Sequence, residues 1–190
     1  MKEAFVIGGP NGAGKTTAAP ELLPTRLRVI EFINADEIAR GLSPFNAEGS
    51  AIAAGRVMIE RIRSLIQARQ SLAFETTCAG RAHIQTLRAC KEAGYRLTLI
   101  YLWLPSPEAA IKRVARRVSM GGHHIPDDTV VRRYFNGLRN VRHVYLPMVD
   151  IGLVYDNADI GGGLIAERRP GASLVVHDAE RWRLIEDATQ

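Results

Sequence analysis

Residues Ala4–Thr17 read AFVIGGPNGAGKTT. Gly9, Gly14, Lys15 and Thr16 fit the spacing G-x-x-x-x-G-K-[ST], and the apolar run Phe5-Val6-Ile7 leads into it as a buried strand does. A loop that wraps phosphate oxygens in backbone N–H groups has little room for side chains, which suits glycine at positions 9, 12 and 14. The helix that follows turns the positive end of its dipole toward the anion. Lys15 adds a mobile charge at the β- and γ-phosphates, and Thr16 offers a hydroxyl to Mg²⁺. Gly9, Pro10, Asn11, Gly12, Ala13, Gly14, Lys15, Thr16 and Thr17 are therefore the candidate site for ATP and its magnesium ion.

Outward from this loop the chain alternates strands and helices, the pattern of a parallel sheet covered on both faces. Strands are expected at Glu3–Gly8, Arg28–Ile33, Ser71–Glu75, Arg96–Leu104 and Ile151–Asp156. The first helix runs from Lys15 toward Leu23, with Pro20 expected to end it early. A long helix over Asn46–Arg69 has Ile52, Gly55, Ile59, Ile62 and Ile66 on its apolar face and Arg56, Glu60, Arg63 and Gln67 on the other. A third helix, Arg81–Ala93, stops at Gly94.

The fourth helix is capped by Ser106 with Pro107 in its first turn, and Ile111, Val114, Ala115 and Val118 face the core. A Gly-rich loop, MGGHHIPDDT, then leads to a helix over Asp127–Val144. Leu164–Arg168 and Ser173–His177, on either side of Pro170-Gly171, read as a hairpin, and a helix over Ala179–Ala188 closes the chain.

With 190 residues, 46% hydrophobic and 24% charged, the expectation is one domain over residues 1–190 with no need of staples. Its lid lies at about 117–133 and its C-terminal hairpin and helix at about 160–190. Cys78 and Cys90 form no C-x-x-C pair, which fits a reducing cytoplasm. No segment reads as a signal peptide or membrane span. The excess of 25 Lys+Arg over 20 Asp+Glu suits an anionic partner, which a phosphorylated small molecule satisfies as well as nucleic acid does.

Asn34-Ala35-Asp36, Phe74-Glu75-Thr76-Thr77, the RVSMGGHHIP stretch (Arg117–Pro126) and Tyr155-Asp156-Asn157 follow the first motif in order. Together the five motifs, over about Phe5–Asn157, resemble the zeta toxin family of P-loop kinases, and in particular its short bacterial branch. The resemblance implies a three-layer αβα fold with a kinase-type parallel sheet of strand order 2-3-1-4-5, to which the C-terminal hairpin is added. For the best-known members it implies ATP-dependent phosphorylation of the 3′-hydroxyl of the sugar in UDP-N-acetylglucosamine, with an antitoxin protein as partner. It also implies roles for single residues: Asp36 as the base beside the acceptor hydroxyl, Arg117 as a catalytic cation of the R-V-x-x-G-G-H stretch, and Asn157 beside the adenine.

The residues themselves add candidates. Asp36 follows the second strand at the end where ligands collect in open α/β sheets, and phosphoryl transfer asks chiefly for positioning and charge stabilisation. Against this, Asp36 could simply cap a short helix over Glu37–Arg40. Glu75 ends an apolar strand where P-loop proteins keep an acid near the metal, so it joins Thr16 as a candidate magnesium ligand or touches the acceptor. Thr76 and Thr77 offer hydroxyls or N–H groups to a substrate phosphate. Arg113, Arg116, Arg117, Arg132 and Arg133 surround the Gly-rich loop, and guanidinium groups bind phosphate bidentately. Arg132 and Arg133 stand as alternatives for a second lid cation. Arg56 is a candidate for a substrate phosphate, with an Arg56–Glu60 surface pair as the plain alternative. His123 and His124 have no third ligand at metal spacing.

Three functions remain open on these grounds. A small-molecule kinase leads, acting on a small anionic or nucleotide-sugar acceptor. A polynucleotide 5′-kinase is second, with only 6% aromatics and no stacking platform against it. The third is a non-catalytic ATP-binding partner in a toxin–antitoxin-like complex, which would need neither Asp36 nor Glu75.

Overall fold

The computed structural model describes residues 1–46, 49–122, 124–158 and 162–190. Among these, strands β1 (Glu3–Gly8), β2 (Phe32–Ile33), β3 (Leu72–Thr76), β4 (Arg96–Trp103), β5 (Ile151–Asp156), β6 (Leu164–Arg168) and β7 (Val175–Val176) form one sheet in the order β2-β3-β1-β4-β5-β6-β7. The first five are parallel, the order expected of the kinase type. β6 pairs antiparallel with β5 and β7 with β6, so the hairpin extends the sheet. In register, Gly8 lies between Thr76 of β3 and Tyr101 of β4, which brings the ends of three strands to one edge.

Helices flank this sheet: α1 (Lys15–Glu21), α2 (Ala35–Leu42), α3 (Ala51–Gln67), α4 (Ala82–Glu92), α5 (Pro107–Ser119), α6 (Asp127–Asn140), α7 (Leu146–Met148) and α8 (Ala179–Asp187). Every residue of β4 after Arg96 is buried, the near-continuous apolar run that a strand covered on both faces requires. Each such large side chain taken from water contributes roughly 1.5–3 kcal/mol. Tyr134 of α6 donates its hydroxyl to Leu104 O at 2.8 Å, and Asn140 donates to Cys78 O at 2.8 Å, so α6 is fastened to the loops after β4 and β3. Among the described residues no helix is long and apolar enough to cross a membrane.

Several local expectations are corrected. β2 is two residues long because only its end reaches β3; Arg28 adopts a left-handed φ of 55° and Ile30 is exposed. Pro20 does not end α1, which continues to Glu21 and widens into a π-helical turn over Leu22–Leu27. On α3 the buried stripe is Ala54, Met58, Ile62 and Leu65, while Ile52 stays 76% exposed. That helix carries apolar residues on two overlapping stripes, and packing against α2, α4 and β2 buries the second of them. On α5 it is Ala110 rather than Ala115 that is buried beside Val114. The expected helix to Val144 gives way at Val141 to a second π-helical turn, Val141–Tyr145, that runs into α7.

Candidate active site

The loop after β1 is built on close approach. A Cβ on Gly9 would stand 2.6 Å from Leu102 O, and one on Gly12, where φ is +77°, would meet Arg113 Cβ at 2.9 Å. The loop is thus pressed between β4 and α5, and a side chain at either position would displace backbone. Pro10 O accepts both Ala13 N–H at 3.2 Å and Lys15 Nζ at 2.9 Å. At the far side Asn157 donates its side-chain amide to Ala13 O at 2.6 Å.

Four residues from three parts of the chain, α1, the cap of α2 and the end of β3, meet at the start of α1. Thr16 Oγ1 donates to Glu75 Oε2 at 2.9 Å, Asn34 Nδ2 donates to the same oxygen at 3.0 Å, and Lys15 Nζ lies 3.7 Å from Glu75 Oε1. Asn34 also caps α2: its Oδ1 accepts the N–H of Asp36 at 2.8 Å and of Glu37 at 3.4 Å. The cap of this helix is therefore Asn34, and the reading of Asp36 as cap is set aside. Asp36 occupies the exposed first turn and faces the cleft. Lys15 is buried, and desolvation lowers its pKa below the usual lysine range, opposed by the negative charges of Glu75 and Asp36.

These groups line one open cleft of about 930 Å³. One wall comes from α5 and α6 and carries Arg113, Arg116, Arg117 and Arg133. The rest of the lining comes from α2, α3, the end of β3, the loop that leads into α4 and the first turn of that helix, and carries Asp36, Glu75, Thr76, Thr77, Met58 and His83. Arg133 Nη1 reaches Asn11 Oδ1 at 3.5 Å, whereas Arg132 is exposed and does not line the cleft. Arg56 is also exposed and stands outside the lining. Arg113 donates to Ala158 O. The guanidinium of Arg117 is close enough to Lys15 to oppose its charge, and its stem packs where a Cβ on Gly122 would fall, 2.6 Å from Cγ. Gly121 takes φ +85° and ends α5, with Gly122 N–H bonded to Arg117 O at 2.9 Å. His124 follows this turn, and His123 lies outside the described residues.

Thr76 and Thr77 turn their hydroxyls to the backbone N–H groups of Cys78 and Ala79, at 3.0 and 3.5 Å, and so shape the loop that forms the cleft floor. Two cleft residues were not singled out from the sequence. Asn34, inside a motif read for its aspartate, ties the acid, the hydroxyl and α2 together. His83 stacks on Phe74 with ring centroids 5.0 Å apart, and burial pushes its pKa down to about 4, so it is neutral at ordinary pH. A magnesium ion fits this donor set: hard oxygens from Thr16 and Glu75 beside a phosphate loop are the sparse protein contribution that Mg²⁺ usually takes. Among the described residues no group of three His, Cys, Asp or Glu side chains converges as a separate metal site.

Comparison with known proteins agrees with this geometry. A protein of Haemophilus influenzae of uncharacterised function is 32% identical over 134 residues, 70% of this chain and 94% of its own length. The AvrRxo1-ORF1:-ORF2 complex with ATP superposes with a TM-score of 0.75 at 18% identity over 100% of this chain, which spans 64% of that longer one. The PezAT chromosomal toxin–antitoxin system of Streptococcus pneumoniae gives 0.64 at 16% identity over 99% of this chain and 86% of its own. The zeta toxin family model matches residues 1–161. The chain belongs to the zeta toxin family and is an ATP-dependent kinase of the P-loop fold.

Proposed function

We propose that the protein transfers the γ-phosphoryl group of ATP·Mg²⁺ to a hydroxyl of a small acceptor, of which the 3′-hydroxyl of the sugar in UDP-N-acetylglucosamine is the leading example. One observation carries this reading: Lys15, Thr16, Asn34 and Glu75 are joined in one polar cluster, with Asp36 on the same cleft. Lys15 would leave Pro10 O for the β- and γ-phosphate oxygens, whose charge raises its lowered pKa. Thr16 and Glu75 would hold the metal, which when bound neutralises phosphate charge. Asp36 orients the acceptor hydroxyl and takes its proton as the bond to phosphorus forms. Arg117 and Arg133, which line the cleft from α5 and α6, would stabilise charge on the transferring group.

Residues 117–133 then act as a lid, closing Arg117 over the phosphates. Asn157 fixes the back of the loop by holding Ala13 O, and we infer from the family resemblance that it lies beside the adenine. The buried free thiols Cys78 and Cys90 and the need for ATP suit a cytoplasmic protein. An antitoxin is the fitting protein partner, since the PezAT relative is described as a toxin–antitoxin system.

The test is a transfer assay with ATP labelled at the γ-phosphate, Mg²⁺, and a panel of nucleotide sugars, nucleosides and 5′-hydroxyl oligonucleotides. Label is expected on a nucleotide-sugar hydroxyl with the wild type and on nothing with Lys15→Ala. Label on the oligonucleotide would replace this reading with a polynucleotide kinase, and wild-type activity in Lys15→Ala would remove the loop from the reaction.

A further inference from the structure

The family match ends at residue 161, yet the chain beyond it reaches back to the nucleotide loop. Helix α8 starts at Asp178, whose Oδ1 accepts Arg181 N–H at 2.9 Å. The Arg181 guanidinium bridges two carboxylates, with Nη1 2.5 Å from Asp178 Oδ2 and Nε 2.7 Å from Asp156 Oδ2. Asp156 is the last residue of β5, and only 7% of its side chain is exposed. Its other oxygen accepts Ala158 N–H at 2.9 Å.

Between those two residues lies Asn157. Its backbone N–H donates to Trp103 O at 2.9 Å, and its amide holds Ala13 O at 2.6 Å. Gly14 passes so near that a Cβ there would be 3.1 Å from Asn157 Nδ2. Two polar contacts, Arg181–Asp156 and Asn157–Ala13, joined by the peptide bond between Asp156 and Asn157, thus lead from α8 to the phosphate loop.

We propose that Arg181 is a positioning residue for the nucleotide, acting through Asp156 and Asn157 to hold the P-loop in its receptive shape, so that the C-terminal helix is part of the ATP site. The proposal rests on the reading of that loop as an ATP site. With 7% of its side chain exposed, the Asp156 carboxylate has little water to replace the Arg181 guanidinium, which is itself 47% exposed. Without Arg181 the Asp156 side chain must move toward water, and the adjoining Asn157 moves with the turn. Ala13 O then loses its donor, and the loop N–H groups lose the preset aim on which tight phosphate binding depends. Because such coupling is reciprocal, ATP must also tighten the docking of α8.

The experiment is calorimetric titration of the full chain with ATP and Mg²⁺, which needs no knowledge of the acceptor. Arg181→Ala should raise the Kd for ATP by about 10-fold, within the range of coupling between linked sites. Arg183→Ala, which removes the same charge from a neighbouring exposed position, should leave it unchanged. Adding Asp156→Asn to Arg181→Ala should recover most of the affinity, since a neutral amide needs no cation; a merely destabilised fold would not be repaired this way. Hydrogen exchange over 179–187 should slow on adding ATP in the wild type and not in Arg181→Ala. Should Arg181→Ala fail to fold, Arg181→Lys, which keeps one contact at most, should show an intermediate Kd.

An unchanged Kd in a folded Arg181 variant, an equal loss in Arg183→Ala, or no recovery in the double variant would overturn the proposal. Wild-type protein that does not bind ATP would instead overturn the reading of the loop, and the proposal with it.

Discussion

The two walls of the cleft differ in kind. The wall from α5 and α6 presents four arginines, whereas the lining from α2, α3, the end of β3 and the loop into α4 presents two carboxylates and, among its described residues, no arginine or lysine. Lys15 sits on the seam, within 3.7 Å of Glu75. An anion entering such a cleft is drawn to the arginines and repelled from the carboxylates, so phosphate groups of donor and acceptor alike are steered toward α5 and α6. In the proposed reaction the carboxylates are left to handle protons and metal. Glu75 is already engaged by Thr16 and Asn34, which leaves Asp36 as the carboxylate open to a hydroxyl.

The difference is broken most severely by removing the charge proposed to act on the acceptor. Asp36→Asn should lower transfer by about 10²–10⁴-fold, the usual contribution of a general base. ATP affinity and melting temperature should hold, because Asn34 and not Asp36 caps α2. A collapse in melting temperature would make Asp36 structural, and unchanged transfer would pass the role of base to Glu75.

On the basic wall the expected effect is smaller. Arg117→Lys keeps the charge but loses the planar two-pronged contact, and transfer should fall by about 10²-fold. Arg132→Ala, on the same helix as Arg133 but turned to water, should change rates by no more than about twofold. Steady-state rates at saturating ATP compare the two, and equal losses would mean that the wall acts as a diffuse field.

The smallest effect concerns His83. Burial holds its pKa near 4, below its usual 6.5, so the unfolded chain takes up the proton first as the solution is acidified. Stability from this group is present above pH 6.5 and is lost as pH falls toward 4. His83→Gln should flatten that part of the decline when melting temperatures are followed from pH 7 to pH 4. Parallel curves for the two proteins would place the ring in water.

The nucleotide side of this architecture was written locally, and for that reason could be read. A phosphate loop needs its glycines, lysine and threonine at fixed offsets, and a strand covered on both faces needs a long apolar run such as Leu99–Leu104. The sheet order followed from the resemblance built on these motifs. What escaped depends on which of two faces packs. The stripe of α3 could not be chosen from its many aliphatic residues, which left Arg56 as a candidate that the fold turns away from the cleft. For Arg132 and Arg133 the signal was present: Val130, Tyr134, Gly137 and Leu138 mark the buried side of α6, and Arg133 lies nearer to it.

Asn34 could be suspected as a cap before Asp36-Glu37, but its bond to Glu75 joins two strands and has no local trace. His83 is a lone histidine until Phe74 is beside it. The pairing of Arg181 with Asp156 spans 25 residues and a hairpin, beyond any spacing rule.

The sheet also ends abruptly at both margins. β2 and β7 are each two residues long, and the exposed Val175 and Val176 form the whole of one outer strand. An outer strand offers its unpaired N–H and C=O groups to any other chain, and a longer one would act as a template for strand addition. Two residues give a stray segment almost no ladder to join. Seven strands can therefore be laid side by side without inviting an eighth from a neighbouring molecule, and the protein is guarded against edge-to-edge aggregation at both ends of its sheet.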